Sequence, residues 1–289
     1  MAQISVEPLH PALGARVKGL DLRAPLDALT VQAVNDAWMH HLVLVFPGQP
    51  LSDQQHADVT RYFGEPEVFH QGILKSTTVP EIFRVSNTDE DGNLMPSAHP
   101  TMRQISSARR WHTDSSYREH PAVGSLLHGI RTSKTGGLTC FINMYDVYDA
   151  LPTRLKTQIE DKRACHDFEH LSRLTGATPP TPQERAAMPP VWQPLVRRHP
   201  TTRRKSLYIS PIYNNRIESM DDDGAVNLIA ELTAFAEQER FVFKHRWADN
   251  DIVMWDNRCT MHLVTPHDPT EKRIMHRTTI AGTLAVEAA

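Results

Sequence analysis

Cysteine, long apolar stretches and a surplus of either charge are all scarce in this sequence, and each shortage removes a class of protein. The three cysteines, Cys140, Cys165 and Cys259, are odd in number and never in Cys-x-x-Cys spacing. That disfavours a disulfide framework and a structural zinc site, and leaves reduced, packed thiols as the expectation. No apolar run reaches the roughly 18 residues of a membrane span. The segment Met1-Ala2-Gln3-Ile4-Ser5-Val6-Glu7 has no basic region followed by an apolar stretch, so a cytoplasmic location without a membrane partner is expected. Lys and Arg number 31 against 34 Asp and Glu, a net charge of -3, without the basic excess of a nucleic-acid binder. What is present suits a globular enzyme. At 289 residues and 40% hydrophobic content, residues 1–289 read as one domain with ample core, with assembly as a homo-oligomer expected.

The pattern of turns and apolar runs points to a mainly β fold with flanking helices. Val31 to His41 reads as a helix leading into the buried strand Leu42-Val43-Leu44-Val45-Phe46, which Pro47-Gly48 ends. Ser52 and Gln55 form a capping-box pattern ahead of a helix that stops at Gly64. Ala122 to Ile130, Leu138 to Met144, Phe241 to Trp247, Ile252 to Trp255 and Arg273 to Ile280 read as strands, and Leu195 to Ile209 as a strand pair turning at Pro200-Thr201-Thr202. Tyr145 to Ala164 is expected to be one helix despite Pro152, and Asp221 to Gln238 another, with an apolar stripe at Val226, Ile229, Leu232 and Ala236. Thr88 to Arg110, and the stretch with Pro179, Pro180, Pro182, Pro189, Pro190 and Pro194, have no period of their own and read as long loops. Loops of that length in a compact domain are commonly lids, and residues 88–110 are assigned that role. Many strands with two or three helices suggest a jelly-roll sandwich with helices packed outside.

The chemistry concentrates in Trp111-His112-Thr113-Asp114 and, far downstream, in His262. Side chains two apart on an extended segment share a side, so His112 and Asp114 can grip one ion. With His262 they make two imidazoles and a carboxylate on one face, an arrangement that leaves positions open at non-haem Fe(II). The same three residues also suit zinc, which keeps a zinc hydrolase as an alternative, and a non-catalytic jelly-roll binding module as a third. Among 16 histidines a chance triplet is expected, and His56-Ala57-Asp58 supplies one. It falls in the capped helix, where residues two apart do not face each other, so it is read as an ordinary exposed helix face. Arg273 and Arg277 lie an even interval apart on one strand and project to one face. Two permanently charged guanidiniums there would repel unless each meets an anion: a co-substrate carboxylate for one, an anionic substrate for the other, or neighbouring Asp and Glu residues. Thr139 after Gly136-Gly137 can add a hydroxyl. Arg109 and Arg110 precede the iron motif on opposite sides, so at most one reaches the pocket.

These motifs, together with Leu44-Val45-Phe46-Pro47-Gly48-Gln49, Phe63-Gly64, Gly136-Gly137-Leu138-Thr139 and Trp255-Asp256-Asn257-Arg258, span nearly the whole chain. In that order they resemble the Fe(II)- and 2-oxoglutarate-dependent dioxygenases of the taurine dioxygenase and 2,4-dichlorophenoxyacetate dioxygenase family. The resemblance implies a double-stranded β-helix (jelly roll) and Fe(II), 2-oxoglutarate and O2 as cofactor and co-substrates, with ascorbate in support and succinate and CO2 as co-products. It implies iron ligation by His112, Asp114 and His262, a 2-oxoglutarate carboxylate on Thr139 and Arg273, and an anionic small-molecule substrate on Arg277. Arg109 and His70 stand as further candidate substrate contacts, although the stretch around Phe69 and His70 departs from the taurine enzymes. Leu138 stands where the family usually has Asp. Ser86-Asn87 and Asp91-Gly92 are more similar to the phenoxyalkanoate branch, which implies an aryloxyalkanoate or other aromatic carboxylate rather than taurine or an alkylsulfonate.

Overall fold

A computed structural model of the chain describes residues 4–68, 74–176 and 179–289. The first hairpin pairs β1 (Ser5–Pro8) with β2 (Ala15–Lys18), and α1 (Ala28–His41) follows, capped by Asp27, whose side chain accepts from the Thr30 amide. Leu42, at φ 64°, ends the helix and turns the chain into β3 (Val43–Phe46). The expected capping box is formed at Ser52 and Gln55, opening α2 (Asp53–Arg61). Next come β4 (Phe83–Arg84), α3 (Pro100–Ser106) with a 3-10 turn over Ser107–Arg109, β5 (Gly124–Arg131) and β6 (Thr139–Asn143). The segment 88–110 therefore carries a helix of its own, begun by Pro100 just after the His99 cap, where its fixed φ suits a first turn.

The expected single helix from Tyr145 to Ala164 is instead α4 (Met144–Ala150), α5 (Thr153–Ile159) and β7 (Arg163–His166). Pro152 is the reason: it bars the α conformation at Leu151, which is extended at ψ 137°, and donates no amide to the preceding turn. After α6 (Phe168–Thr175), the proline-rich stretch is likewise ordered, into α7 (Pro182–Ala187) under a Thr181/Glu184 capping box and β8 (Val191–Pro194). The expected strand pair is β9 (Val196–Arg198) with β10 (Lys205–Leu207), and β11 (Asn214–Ile217) leads to α8 (Asp222–Ala236). Its buried stripe runs through Ala225, Leu228, Ile229, Leu232 and Ala236, whereas Val226 is exposed, a correction of one helical position. Strands β12 (Val242–His245), β13 (Asp251–Asp256), β14 (Thr260–Val264) and β15 (Ile274–Ile280) complete the chain.

Two sheets face each other, one seven-stranded in the order β1-β2-β3-β13-β5-β15-β4, the other β12-β6-β14. Between them pack Val43, Val45, Leu127, Phe141, Phe243, Val253, Trp255 and Met275. Strand alternation sends Leu44, Leu126, Ile252 and Met254 to the opposite face of the large sheet, against Val34 and Trp38 of α1 and Val59 of α2. Behind the small sheet, Ile142 and Met261 meet α4, α5 and α8. The fold is thus the expected jelly roll, helices outside. No helix among the described residues is long and apolar enough to cross a membrane. The same alternation gives each side chain of β15 a side: Arg277 falls with Met275 between the sheets, and His276 and Thr278 turn outward beneath α2. His56 of α2 is accordingly buried rather than exposed, while Asp58 faces solvent, so that triplet does split across the helix.

Candidate active site

Three distant segments converge at the open end of the sandwich. His112 and His262 exchange backbone hydrogen bonds, 3.0 Å from the His112 amide and 2.8 Å from the His262 amide, so the segment that follows residues 88–110 is stitched to β14. The two rings stand 4.1 Å apart between centres. Thr113 points away: its amide donates to Ser210 Oγ and its hydroxyl to the Thr260 carbonyl, both at 3.1 Å. That anchor leaves His112 and Asp114 on the other side, as period-2 alternation predicts, and Ser115, at φ 54°, turns the chain away immediately afterwards. One ligand atom each from His112, Asp114 and His262 lies within 4.8 Å of the others.

The surroundings fix their protonation. His112 Nδ1 donates to the Arg110 carbonyl at 2.8 Å, which leaves Nε2 as the lone-pair nitrogen. Burial pushes the imidazolium forms of both histidines out of the ordinary range, His262 well below it, so both rings are neutral. Burial alone would raise the Asp114 carboxyl, but the Arg277 guanidinium, aided by the Ser125 hydroxyl, overcomes it and holds the group at about 2. Neutral imidazoles beside an ionised carboxylate are the states a divalent ion requires, so the donor set fits a metal.

Asp114 is also positioned from behind. Its Oδ2 accepts from Ser125 Oγ at 2.9 Å, Ser125 Oγ accepts from Asn257 Nδ2 at 3.2 Å, and Asn257 Oδ1 accepts from Trp255 Nε1 at 2.9 Å. The Trp-Asp-Asn-Arg run thus reaches the site through Asn257, a role the sequence alone did not assign to it or to Ser125. Ser125→Ala removes that support and should weaken metal binding by about tenfold to a hundredfold, the usual effect of losing a ligand's hydrogen-bond partner. Titration with Fe(II) under nitrogen measures it; an unchanged dissociation constant would show that the relay is idle.

Asp256 in the same run belongs to a second group of donor residues, with His199 and Cys259. Here the hydrogen bonds are already used. Arg258 holds Asp256 through two bonds of 2.8 and 2.6 Å, His199 Nε2 takes Asp256 Oδ2 at 3.1 Å, and His199 Nδ1 accepts from the Thr201 and Thr202 amides. Burial also pushes the Cys259 thiol far up, so it stays protonated. This is a clamp on the turn that sends β14 toward the site.

The two arginines differ. Arg273 is 6% exposed, and its guanidinium makes no hydrogen bond or ion pair among the described residues. Burial alone lowers its pKa to about 10. Such a group is costly unless an anion meets it. Its backbone is held on both sides by Asn87: the Arg273 amide donates to Asn87 Oδ1 at 2.8 Å and the Asn87 amide to the Arg273 carbonyl at 3.1 Å. Gly137, at φ +64°, lies against it: a Cβ there would come within 3.3 Å of Arg273 Nε, so a side chain would crowd the guanidinium. Thr139, two residues on, accepts from Trp247 Nε1 at 2.9 Å, which leaves its own proton free to donate. Trp247 carried no signal in the sequence. Arg277, by contrast, already has an anion: Nη1 donates to Asp114 Oδ1 at 2.6 Å. Of the anions considered from the sequence, a neighbouring Asp is the one it meets.

A cavity of about 100 Å³ adjoins His112, Asp114 and Arg277. Phe83, Tyr117, Phe168 and Tyr213 wall it, and Gln104, Ile105, Ser107 and Ala108 from the segment 88–110 also line it. Tyr117 packs on Phe168 and Tyr213 at ring distances of 4.8 and 4.9 Å. The side chains of Arg109 and Arg110 are both exposed and neither lines this cavity; Arg110 meets the site only through its backbone carbonyl, on His112 Nδ1. Phe69 and His70 lie outside the described residues.

Comparison with known proteins agrees with this geometry. The chain is 35% identical to an alpha-ketoglutarate-dependent 2,4-dichlorophenoxyacetate dioxygenase of Cupriavidus pinatubonensis, over 96% of this chain and 97% of that one. It is 34% identical to an (S)-phenoxypropionate/alpha-ketoglutarate-dioxygenase of Sphingobium herbicidovorans, over 98% and 97%. The crystal structure of AAD-2 in complex with Mn(II) and N-oxalylglycine superposes with a TM-score of 0.90 at 36% identity, covering 99% of this chain and all of that one. There the manganese stands in for Fe(II) and N-oxalylglycine for 2-oxoglutarate. The model of the family described as taurine catabolism dioxygenase TauD, TfdA matches residues 5–279, and the chain belongs to that family of 2-oxoglutarate-dependent dioxygenases.

Proposed function

We propose that the chain oxidises a small aromatic carboxylate, an aryloxyalkanoate above all, at a carbon beside the ether oxygen. The observation that carries this reading is Arg277 at the foot of a cavity walled by Phe83, Tyr117, Phe168 and Tyr213. A guanidinium takes the carboxylate and aromatic faces take the ring. Taurine offers an anion but nothing for those walls, and family membership leaves no place for a zinc hydrolase. The names of the 2,4-dichlorophenoxyacetate and phenoxypropionate relatives support the same class.

In this reading His112, Asp114 and His262 would hold Fe(II), and Arg273 with the Thr139 hydroxyl would hold the distal carboxylate of 2-oxoglutarate. Bound there, iron with 2-oxoglutarate and O2 would supply the oxidation of a substrate C–H bond, with succinate and CO2 as co-products. The rest of the task falls to the protein: Arg277 places the substrate carbon, the aromatic walls exclude water, and residues 88–110, with α3, act as the lid. Hydroxylation beside the ether oxygen gives a hemiacetal, which collapses to a phenol and an oxo acid. The whole chain works as a single domain. Its three buried, unbridged cysteines support a cytoplasmic setting, and light scattering tests the homo-oligomer expected there.

The test compares phenoxyacetate with its neutral amide, in wild type and in Arg277→Ala, by phenol release under air with Fe(II), 2-oxoglutarate and ascorbate. Wild type should prefer the acid by about tenfold to a hundredfold, the 1.5–3 kcal/mol of a charge-assisted bond. The variant should lose that preference. The ratio is the readout, because Arg277→Ala also frees Asp114. Equal turnover of acid and amide in wild type would overturn the anion clamp.

A further inference from the structure

Asp114 is not the only buried carboxylate beside Arg277. Further along β15 than β4, the segment Glu65-Pro66-Glu67 lies against the strand: Pro66 bridges Ile280, the Glu67 amide donates to the Thr279 carbonyl at 2.7 Å, and the Ala281 amide donates to the Glu65 carbonyl at 2.8 Å. Glu67 therefore stands opposite Thr279. Cross-strand partners share a side and alternate residues of one strand do too, so Glu67 falls on the face that carries Arg277. It is 6% exposed.

The carboxylate is held loosely, with Oε1 3.6 Å from Arg118 Nη1 and Oε2 3.5 Å from Ser115 Oγ. Both neighbours belong to the cavity. Ser115 lines it, and Arg118 hydrogen-bonds Tyr117, one of its aromatic walls. Burial pushes the Glu67 carboxyl above its ordinary range, while the Arg118 and Arg277 guanidiniums pull it back. The charges at this end of the cavity thus alternate in sign: Asp114, Arg277, Glu67, Arg118.

We propose that Glu67 sets how much negative charge the substrate may carry: by cancelling Arg118 it leaves the anion clamp to Arg277 alone, so a singly charged aromatic acid is taken and a doubly charged one is rejected. The inference rests on Arg277 as the substrate's anchor and adds the number of charges that anchor accepts. One carboxylate is answered by one guanidinium. A second negative charge on the ligand would meet the field of Glu67, and in a cavity closed off from water such repulsion reaches across several ångströms. With Glu67 neutral, Arg118 would be uncovered, and two permanently charged guanidiniums would suit a dianion. Glu67 is not among the residues lining the cavity, so its part is played through Arg118 and through its own charge.

The test compares phenoxyacetate with phenoxymethylphosphonate, which is doubly ionised at mildly alkaline pH. Isothermal titration calorimetry on the protein with Fe(II) and 2-oxoglutarate, under nitrogen, gives the ratio of their dissociation constants. Wild type should favour the carboxylate. Glu67→Gln should move the ratio toward the phosphonate by about tenfold, and Arg118→Gln should move it the other way by a similar factor. The double variant, which removes the pair as a neutral unit, should return to the wild-type ratio, and Arg118→Lys, which keeps the charge, should never leave it. Lost packing alone would not give shifts of opposite sign. Should Glu67→Gln fail to fold by circular dichroism, Arg118→Gln against Arg118→Lys carries the same comparison. A ratio that stays fixed in the folded variants, or moves the same way in both single neutralisations, overturns the proposal. Equal binding of phenoxyacetate and its amide by wild type is a separate failure: it removes Arg277 as the anchor, and this inference with it.

Discussion

Alanine at His112, at Asp114 or at His262 should each abolish iron-dependent succinate formation, by at least about a thousandfold, or some 4 kcal/mol of lost transition-state stabilisation. Among the described residues these three side chains bring one ligand atom each within 4.8 Å of the others beside the aromatic cavity, and the loss of any one leaves an incomplete set. Circular dichroism should show both histidine variants folded, because the sandwich core lies in Val43, Phe141, Trp255 and their neighbours rather than in the ligands. Asp114→Ala should in addition lower the melting temperature, since the largely buried Arg277 loses its 2.6 Å bond to this carboxylate. Wild-type turnover in any of the three would remove that residue from the iron site.

Arg273→Ala should move two quantities in opposite directions. The concentration of 2-oxoglutarate needed for half-maximal rate should rise by about tenfold to a hundredfold, as 1.5–3 kcal/mol of charge-assisted bonding is lost. The ligand-free protein, however, should become more stable, because a buried guanidinium with no counter-charge has been taken away. Thermal melts with and without 2-oxoglutarate read both effects. If the variant changed only the apparent affinity for the aromatic acid, the roles of Arg273 and Arg277 would have to be exchanged.

The parts of this molecule that were legible in the sequence are those governed by short-range geometry. The His112–Asp114 spacing and the Ser52–Gln55 cap each depend on the local period of the backbone, and each is realised. Elements under local chain conflict were read less well. Pro152 splits one expected helix into two and a strand, while Pro100 and Pro182 begin helices inside stretches taken for loops, because the same residue breaks a helix at one place and opens it at another. His56 looked like a surface residue because a nine-residue helix does not reveal what lies on it. Least legible were the supports. Ser125 and Asn257 are 132 residues apart and meet only after β5 and β13 have paired, and nothing in either neighbourhood marks the contact. The aromatic walls from Tyr117, Phe168 and Tyr213 come together in the same way.

The hydrogen bond from Arg277 to Asp114 spans 163 residues of chain, and the His112–His262 bridge a comparable stretch. Closing loops of that length is slow and comes late, because the entropy of bringing distant segments together is lost before any contact rewards it. A fragment that lacks the β14 and β15 region should therefore bind no metal at this site, and a nascent chain should stay metal-free until those strands have been made. Metal and co-substrate then act on folding as ligands of the finished state alone. Their binding energy adds to global stability by mass action, so limited proteolysis of the ligand-free enzyme should relax throughout the sandwich, rather than at the mouth alone, when iron and 2-oxoglutarate are withdrawn.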